Sequence, residues 1–433
     1  MIRRLIVQST ANYATSRYWF DAAGNPVAAQ DAEGNVIRGY YDNLGRRTSM
    51  ADPDAGTWSF SYDGYGQMLG QTDARGISTT MTYDALGRMT NRTSSNPGGA
   101  GLAAESVYDS WSFDSAGGPG QLDVARRAIN SAFNQVWKEQ YGYNATTRRP
   151  ETTSTTIAGE ASTWVTYQSY DTLGREQVTT YPDGLAVQRN YHPVSGIFNQ
   201  LADANTAQGY WTASAQDAFG NIVNENYGNG VYTNDVSYPS TGQMLFKRWY
   251  TSTGAALDQF QYTYDSFGNL KQQQRTQALL LPATITENYQ YDGLQRLTQS
   301  SRVGVPGAVP INTSYSPSGN LQKKSDNGQD LPSAYLYGYN GCGPHAVAVV
   351  YRTAPTPARS YGCDQNGNVV AGNEISAVYD FMNLPRIINR IGSPHPGSTQ
   401  FRYDANGQRY EEVTGGGETT RFGSKGYEKV YHP

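Results

Sequence analysis

The sequence has little charge, few histidines and few cysteines. Asp, Glu, Lys and Arg make up 16% of its 433 residues, and there are four histidines and two cysteines. Two cysteines cannot form a disulfide framework, and a formal net charge of -4 provides no basic surface for a polyanion. The composition therefore excludes a disulfide-scaffolded mini-protein and predicts that nucleic acid is not a partner.

Long apolar runs are also missing. The longest, at residues 346–351, is far too short to cross a bilayer, so we predict no membrane span. The first seven residues carry a basic pair and a short apolar stretch, but a signal peptide needs a longer apolar region. Because some secretion routes need no cleavable leader, this does not indicate a cytoplasmic site of action.

The chain is rich in tyrosine and glycine instead. It has 34 Tyr and 47 Gly, and aromatic residues reach 12% although hydrophobic residues in total are only 37%. Disordered segments are poor in aromatic residues, so this content argues against disorder. Weakly charged chains that combine aromatic residues with frequent glycines are typical of many short strands joined by turns.

A six-residue motif recurs along the chain: an aromatic residue, then Asp, then Gly three positions after the Asp. Near the N-terminus the aromatic residue stands at Phe20, Tyr41, Tyr62 and Tyr83, a constant step of 21 residues, and the spacing loosens later. The motif residues that we predict to form turns are Tyr41, Asp42, Gly45, Arg46, Tyr62, Asp63, Gly66, Tyr83, Asp84, Gly87, Arg88, Tyr170, Asp171, Gly174, Arg175, Tyr264, Asp265, Gly268, Tyr403, Asp404 and Gly407.

Each motif position has a physical reason. The Asp carboxylate can accept a hydrogen bond from the backbone N–H two residues on, which closes a turn. The Gly supplies a positive φ, so we predict positive φ at Gly45, Gly87 and Gly174. The Tyr ends a strand, and we expect its hydroxyl to reach water or a loop. Because these carboxylates recur at turns, a structural role is favoured over a catalytic one.

The segments before the turns alternate like strands. Trp58, Phe60 and Tyr62 lie on one side, while Ser59 and Ser61 lie on the other. This period of two predicts half-buried antiparallel strands with one wet face. A single hairpin cannot offset an ordering cost of about 1–2 kcal/mol per residue, so hairpins must stack. Because sheets twist, we predict an all-β fold of antiparallel hairpins in a long, curling sheet.

We predict a single repeat domain over residues 1–433. Regular repeats occupy residues 18–92, looser repeats with Gly/Pro-rich loops occupy 93–165, and further repeats occupy 166–431. The loops are expected at 96–101 and 117–120. Residues 122–137 have mixed apolar spacing, for which a strand is favoured over a short helix.

No recognised catalytic motif is present, so the sequence predicts no enzyme, no cofactor and no metal site. Cys342 and Cys363 are one repeat of 21 residues apart, which would place them on neighbouring strands. We hypothesise a disulfide between them, to be ruled out by a Cα separation above about 7 Å. The alternatives are two buried thiols or a metal site that includes His345, which would lack enough ligands for zinc.

The repeat resembles a known family. The Tyr-Asp-x-x-Gly-Arg motif, copied many times, is similar to the YD repeats of Rhs proteins, of the cocoon components of bacterial toxin complexes and of teneurins. Residues 343–347 and 364–368 resemble the closing part of bacterial Rhs chains. The resemblance covers roughly residues 18–431. It implies a hollow β-shell, which in bacterial members encloses a toxic C-terminal region.

This resemblance implies a non-catalytic structural role. The expected partners are a toxin cargo, the remaining shell segments and a secretion apparatus, and the expected location is secreted or cell-surface. The Asp-Pro-x-Gly signatures of the plugging core are missing, since Asp52-Pro53 lies inside a repeat. Because there is no room for a toxin after the last repeat, we expect a stretch of shell wall: a fragment, or the product of a split gene.

A surface adhesion or carbohydrate-binding repeat protein is the alternative function. Aromatic side chains can stack on sugar rings, and the candidates are Trp19, Trp58, Trp111, Trp164 and Trp211. Trp58 falls on the predicted apolar face of its strand, however, which favours packing over glycan binding.

Overall fold

The computed structural model describes residues 2–8, 13–99, 103–115, 118–130, 134–217, 219–278, 284–327, 333–353, 358–392 and 397–433. Of the two predicted Gly/Pro-rich loops, Ala100, Gly101 and Gly117 lie outside the described residues. The chain divides into two compact units: unit 1 contains residues 1–166 and 314–433, and unit 2 contains residues 167–313. The single-domain organisation stays a prediction.

Strands account for nearly all of the described secondary structure. The first part of unit 1 contains β1 (Ile2–Gln8), β2 (Tyr13–Phe20), β3 (Pro26–Gln30), β4 (Val36–Tyr41), β5 (Arg47–Asp52), β6 (Gly56–Tyr62), β7 (Met68–Thr72), β8 (Ser78–Tyr83), β9 (Met89–Asn96), β10 (Glu105–Phe113), β11 (Leu122–Ile129), β12 (Asn134–Tyr143) and β13 (Pro150–Ile157).

The strand that contains the first unit boundary is β14 (Trp164–Tyr170). Unit 2 continues with β15 (Glu176–Thr180), β16 (Ala186–Tyr191), β17 (Phe198–Asp203), β18 (Gly209–Gln216), β19 (Ile222–Tyr227), β20 (Val231–Ser237), β21 (Met244–Thr251), β22 (Ala256–Tyr264), β23 (Leu270–Gln277), β24 (Thr284–Tyr291) and β25 (Leu297–Val303).

The second boundary lies in β26 (Ile311–Tyr315). The second part of unit 1 contains β27 (Leu321–Lys324), β28 (Tyr335–Tyr337), β29 (Val347–Val350), β30 (Arg359–Cys363), β31 (Val369–Gly372), β32 (Ile375–Tyr379), β33 (Pro385–Arg390), β34 (Gly397–Tyr403), β35 (Arg409–Thr414), β36 (Thr419–Phe422) and β37 (Glu428–Tyr431). The one helical element among the described residues is a 3-10 turn, Ser424–Gly426.

The strands pair in the order of the chain. From β1 to β13, each strand is antiparallel to the next, and the same holds from β14 to β26. The predicted all-β fold of antiparallel hairpins is confirmed. Strand rather than helix is also confirmed for the described part of residues 122–137, which lie in β11 and β12.

Alternation sets which side chains are buried. In β6 the side chains of Trp58, Phe60 and Tyr62 are half-buried, while those of Ser59 and Ser61 are exposed, as predicted. Much of what is buried is polar, including Thr79 in unit 1 and Thr179 and Thr233 in unit 2. In unit 1 an apolar cluster forms around Trp137, Ile157, Trp164 and Tyr410. No helix in the described part of the chain is long and apolar enough to cross a membrane.

Candidate functional site

The repeated turn is a local hydrogen-bonded unit, which we call the YD turn. In the turn at Asp42, the backbone N–H of Gly45 donates to the carbonyl of Asp42 at 3.0 Å, and the N–H of Asp42 donates to the carbonyl of Arg46 at 2.9 Å. The carboxylate Oδ1 accepts the N–H groups of Leu44 at 2.9 Å and of Arg46 at 3.0 Å. A register shift at Tyr41 marks the bulge that joins the turn to the strands.

The residue four positions after the Asp completes the turn with a side-chain donor. Arg46 Nε donates to Asp42 Oδ2 at 2.7 Å. Where Arg is replaced, an amide takes its place: Gln67 donates to Asp63 at 2.9 Å. This requirement for a planar N–H donor explains the Arg, Gln or Asn at this position, because each can reach the second carboxylate oxygen.

These contacts stabilise the charged form of the carboxylate. Hydrogen bonds to the backbone N–H of the fourth residue, helped by the Arg side chain, lower the pKa of Asp42, Asp84 and Asp171. At Asp265 the Asn269 side chain is the largest cause of the lowered pKa. These four carboxylates are therefore charged at neutral pH.

The turn glycines have the predicted backbone geometry. Gly45, Gly87 and Gly174 have φ of 77°, 79° and 80°. Two degenerate copies place a side chain at this position instead, with φ of 62° at Gln295 and 59° at Asn383. A left-handed conformation is costly for residues other than Gly, so these two turns carry backbone strain.

The motif tyrosines hydrogen-bond one repeat to the previous one, and we call these bonds the tyrosine lacing. The hydroxyls of Tyr41, Tyr62 and Tyr83 donate to backbone carbonyls 15 residues earlier, at 3.2, 2.9 and 2.8 Å. Each acceptor lies directly after the previous turn on the same edge. Tyr403 likewise donates to a carbonyl, that of Pro385, at 2.8 Å. We expected a hydroxyl that reaches water or a loop; it bonds the neighbouring hairpin instead.

The motif arginines extend forward to the next turn. Arg46 Nη1 donates to the carbonyl of Asp63 at 2.6 Å, and its guanidinium lies 5.2 Å from the ring centroid of Tyr62. Arg88 bonds both carboxylate oxygens of Asp114 at 2.8 and 2.5 Å. In unit 2, Arg175 donates to Gly196 at 2.9 Å and lies 4.0 Å from the Tyr191 ring centroid. We call these contacts between successive turns the turn ladder.

The remaining predicted turn residues occupy the same positions with local differences. Tyr170 and Tyr264 lie at register shifts before their turns in unit 2. The Tyr264 ring contacts Tyr238 edge to face, with centroids 6.3 Å apart. Gly66, Gly268 and Gly407 have φ of 90°, 87° and 82°.

Within unit 1, a second set of contacts joins residues far apart in the sequence. We call the contacts between residues 31–166 and residues 316–433 the seam. At one point of the seam, the N–H of Ala74 donates to Asn366 Oδ1 at 3.0 Å, and Asn366 Nδ2 donates to Asp73 Oδ2 at 2.7 Å. Arg75 donates to the carbonyl of Asp380 at 2.9 Å. Turns of the C-terminal repeats thus dock on the opposite-edge turns of the N-terminal repeats.

A buried ion network lies at the centre of the seam. The carboxylate of Asp109 is inaccessible to solvent and pairs with Arg92 at 2.6 Å and Arg127 at 2.7 Å. The same guanidiniums donate to the carbonyls of Ala405 and Tyr403, at 2.7 and 2.6 Å. Burial alone would lower the pKa of Arg127, but the bond to Asp109 raises it overall. Asp109 therefore positions two guanidinium groups, both of which donate to the YD turn at Asp404.

In two YD turns that dock at the seam, the pKa of the motif carboxylate is raised instead of lowered. Burial raises the pKa of Asp404 and Asp380, although both carboxylates accept two backbone N–H groups. The ring of Phe381, in the Asp380 turn, lies 5.3 Å from Arg92 and 5.6 Å from Arg127. Both carboxylates keep the backbone N–H bonds found at Asp42, so the raised pKa comes from burial by the packed neighbours.

His345 and the two cysteines lie at another point of the seam. Cys342 and Cys363 are joined by a disulfide, with a Cα separation of 4.7 Å, which confirms the hypothesis. Nearby, His345 Nδ1 lies 2.5 Å from Asp54 and Nε2 lies 2.8 Å from Asp31. Burial lowers the pKa of His345, but the two carboxylates outweigh it, and the pKa is raised. With both ring nitrogens engaged, His345 serves as an ionic bridge.

None of the candidate glycan-binding tryptophans is in the exposed class. Trp137 and Trp164 are buried, and the other five tryptophans, all within the described residues, are half-buried. Trp58 and Trp111 also donate their indole N–H to Ala55 and Asn406, at 2.9 and 3.2 Å. Among the described residues, no group of three or more His, Cys, Asp or Glu side chains could hold a metal ion.

The long-range residues Arg92, Asp109, Arg127 and Phe381 were missed by sequence reasoning. Tyr108-Asp109 even looks like a motif copy, but it lies inside β10 rather than at a turn. The missing Gly three residues after Asp109 is the local signal that separates it from a YD turn.

The YD turns, the turn ladder and the tyrosine lacing together define an antiparallel sheet that is built from sequence repeats. The RHS repeat family model matches residues 20–57 and 62–100. No curated protein is similar to this chain in sequence. Residues 20–57 and 62–100 thus match the RHS repeat.

Solved structures share the fold over nearly the whole chain. The Photorhabdus luminescens Tc holotoxin pore, with a TccC3 mutant, matches with a TM-score of 0.74 at 14% identity and covers 99% of this chain. A TcdB2-TccC3-Cdc42 crystal structure matches with 0.73 at 14% identity over 98%. TcdB2-TccC3 without its hypervariable C-terminal region matches with 0.74 at 14% identity over 96%. This chain spans 23% of the length of each of these chains.

Proposed function

We propose that this chain forms part of the wall of an Rhs-type shell, and that the shell encloses a toxic cargo carried by another segment. The observation that carries the proposal is the fold match to Tc toxin structures over 99% of the chain. The turn ladder and the tyrosine lacing support a wall, because they join successive hairpins to one another.

The role is non-catalytic in this proposal. The recurring carboxylates are occupied by backbone N–H groups and arginines, and His345 has no free ring nitrogen. The partners are the cargo and the remaining shell segments. The protein acts outside the producing cell or at its surface, after export by a bacterial secretion apparatus.

The test uses the natural gene product purified from its host. Cryo-electron microscopy is expected to show a hollow particle whose wall contains this chain. Trypsin is expected to spare the enclosed segment in the intact particle and to digest it after the particle is unfolded. A particle without a lumen, or a cargo digested equally fast in both states, would contradict the proposal.

A further inference from the structure

Unit 2 brings one lysine and two carboxylates together on neighbouring strands. Asp235 on β20 is directly opposite Lys247 on β21 in the strand register, and Lys247 Nζ lies 2.8 Å from Asp235 Oδ2. Glu225 on β19 places its Oε2 3.3 Å from the same Nζ. Directly opposite side chains lie on one face of a sheet, so the three groups form a single cluster, which we call the Lys247 cluster.

The amine distinguishes this cluster from nearby ion pairs of unit 2. Those pairs use arginine: Arg189 with Glu176, Arg275 with Asp258 and Arg302 with Glu287. A guanidinium is not deprotonated in proteins, whereas a lysine amine is a nucleophile once it gives up a proton. The Lys247 cluster can therefore carry out chemistry that the arginine pairs cannot.

The surroundings of Glu225 keep it ionised. Its carboxylate accepts hydrogen bonds from Trp211 Nε1 at 3.1 Å, from the Thr233 hydroxyl at 2.9 Å and from the Tyr227 hydroxyl at 3.2 Å. Burial alone would raise the pKa of Glu225, but the bonds from Trp211 and Thr233, together with the charge of Lys247, lower it overall. Glu225 is therefore the group of the cluster that can act as a base.

Asp235 has the opposite surroundings. It is 9% exposed, and the described part of the chain provides no hydrogen-bond partner for its buried Oδ1. Burial raises the pKa of Asp235, and the bond to Lys247 offsets this only in part. Neighbouring carboxyl groups whose pKa values are pushed apart take different roles, one as an acid and one as a base. Asp235 is therefore the carboxyl that is more easily neutral.

We propose that Lys247 and Asp235 condense into an intramolecular amide that cross-links β20 to β21, with Glu225 as the general base. One proton moves from Nζ to Asp235 along the 2.8 Å hydrogen bond, and the neutral amine then attacks Cγ of the neutral carboxyl. Glu225 takes a second proton from Nζ and returns it to the departing hydroxyl. An N–C bond forms, a C–O bond breaks and one water leaves. No oxidation state changes, so the reaction needs no further reactant.

The cluster favours this condensation in two ways. Burial lowers the pKa of Lys247, but the bond to Asp235 outweighs it and the pKa is raised, so the amine rests as an ammonium ion beside its partner. The reactive neutral pair therefore forms by proton transfer inside the cluster, where well-oriented groups reach effective concentrations of about 10⁵–10⁸ M. The amide also replaces a buried charge by a neutral carbonyl at Oδ1. The reaction occurs once per chain, so it is a modification of the sheet rather than an enzymatic activity, and it does not depend on the proposed shell function.

Mass spectrometry of the purified and reduced full-length chain tests the inference. We expect most molecules to be lighter than the sequence mass by one water. Chymotrypsin cleaves after Tyr238, between the two reacting residues, and we expect the peptides that contain Asp235 and Lys247 to stay joined. The internal control is Lys324, which lies 3.0 Å from Asp326 in a solvent-accessible ion pair and should remain unlinked. A chain of full sequence mass whose two peptides separate would reveal an ordinary ion pair and overturn the inference.

Two variants distinguish the covalent bond from the ion pair. Lys247→Arg keeps the charge but cannot condense, so the joined peptides should disappear while the circular dichroism spectrum is retained. Glu225→Gln keeps the size of the side chain and should slow the formation of joined peptides after synthesis by about 100-fold or more. A loss of water that persists in Lys247→Arg, or an unchanged rate in Glu225→Gln, would overturn the assignment. The measurement on the wild-type chain decides the inference even where a variant fails to fold.

Discussion

The substitution Asp109→Asn tests whether the buried ion network holds the seam together. The amide keeps the size of the side chain but removes its charge, which leaves the guanidiniums of Arg92 and Arg127 without their common counter-ion. Breaking a buried ion pair on one side costs about 3–5 kcal/mol, because the remaining charge stays buried and uncompensated. The turn around Ala405 depends on those guanidiniums, so it should open first.

Hydrogen–deuterium exchange measures this opening directly. A cost of about 3–5 kcal/mol corresponds to a loss of about two to four powers of ten in amide protection. We expect this loss at the backbone amides of residues 401–408 and near Phe381, with far less change at β4 to β6. Asp42→Asn is the matched control, because its carboxylate lies in a YD turn outside the seam. Protection at 401–408 within threefold of the wild type in Asp109→Asn would refute the assignment.

Reduction of the Cys342–Cys363 disulfide should destabilise β28 to β31 by about 3 kcal/mol, as expected for a loop closed by a separation of 21 residues; unchanged exchange there after reduction would contradict this. The pKa of His345 is raised by folding, so its ionic bridge is fully present below the unfolded pKa near 6.5 and is lost as the pH rises through the folded pKa. The difference in amide protection between the wild type and His345→Gln should therefore shrink as the pH rises above about 6.5, and a difference that grows with pH would disprove this. Gly87→Val should lower the free energy of unfolding by about 1–3 kcal/mol, while Gln295→Gly should raise it by up to about 1 kcal/mol. A change of the same sign and size in both variants would show that the positive φ is not the cause.

The YD turn could be predicted in detail because its partners are local. The contacts of Asp42 with Leu44, Gly45 and Arg46 all fall within five residues. The bulge, the positive φ and the alternation in β6 follow from the same short window. The disulfide between Cys342 and Cys363 was hypothesised from their separation of one repeat and is confirmed, although Cys342 lies in the loop between β28 and β29 rather than on a strand.

The prediction that the tyrosine hydroxyls reach water or a loop was wrong, and the reason is physical. A hydroxyl at the end of a strand can bond water, a loop or a carbonyl, and the motif alone does not select among these partners. The acceptor is set by the register between this hairpin and the previous one, which places the carbonyl of Arg47 2.9 Å from the Tyr62 hydroxyl. Register depends on how the sheet stacks, and one motif copy does not encode it.

By itself, the sequence determined the repeat, the turn chemistry and the antiparallel hairpins. Tertiary structure alone decided the seam, since Ala74 and Asn366 are 292 residues apart and no periodicity links them. It also decided that Asp404 is buried with a raised pKa whereas Asp84, in the same motif, keeps a lowered one. Hydrogen bonds inside a turn depend on local sequence, but desolvation depends on whatever packs against the turn, and only the folded chain specifies that neighbour.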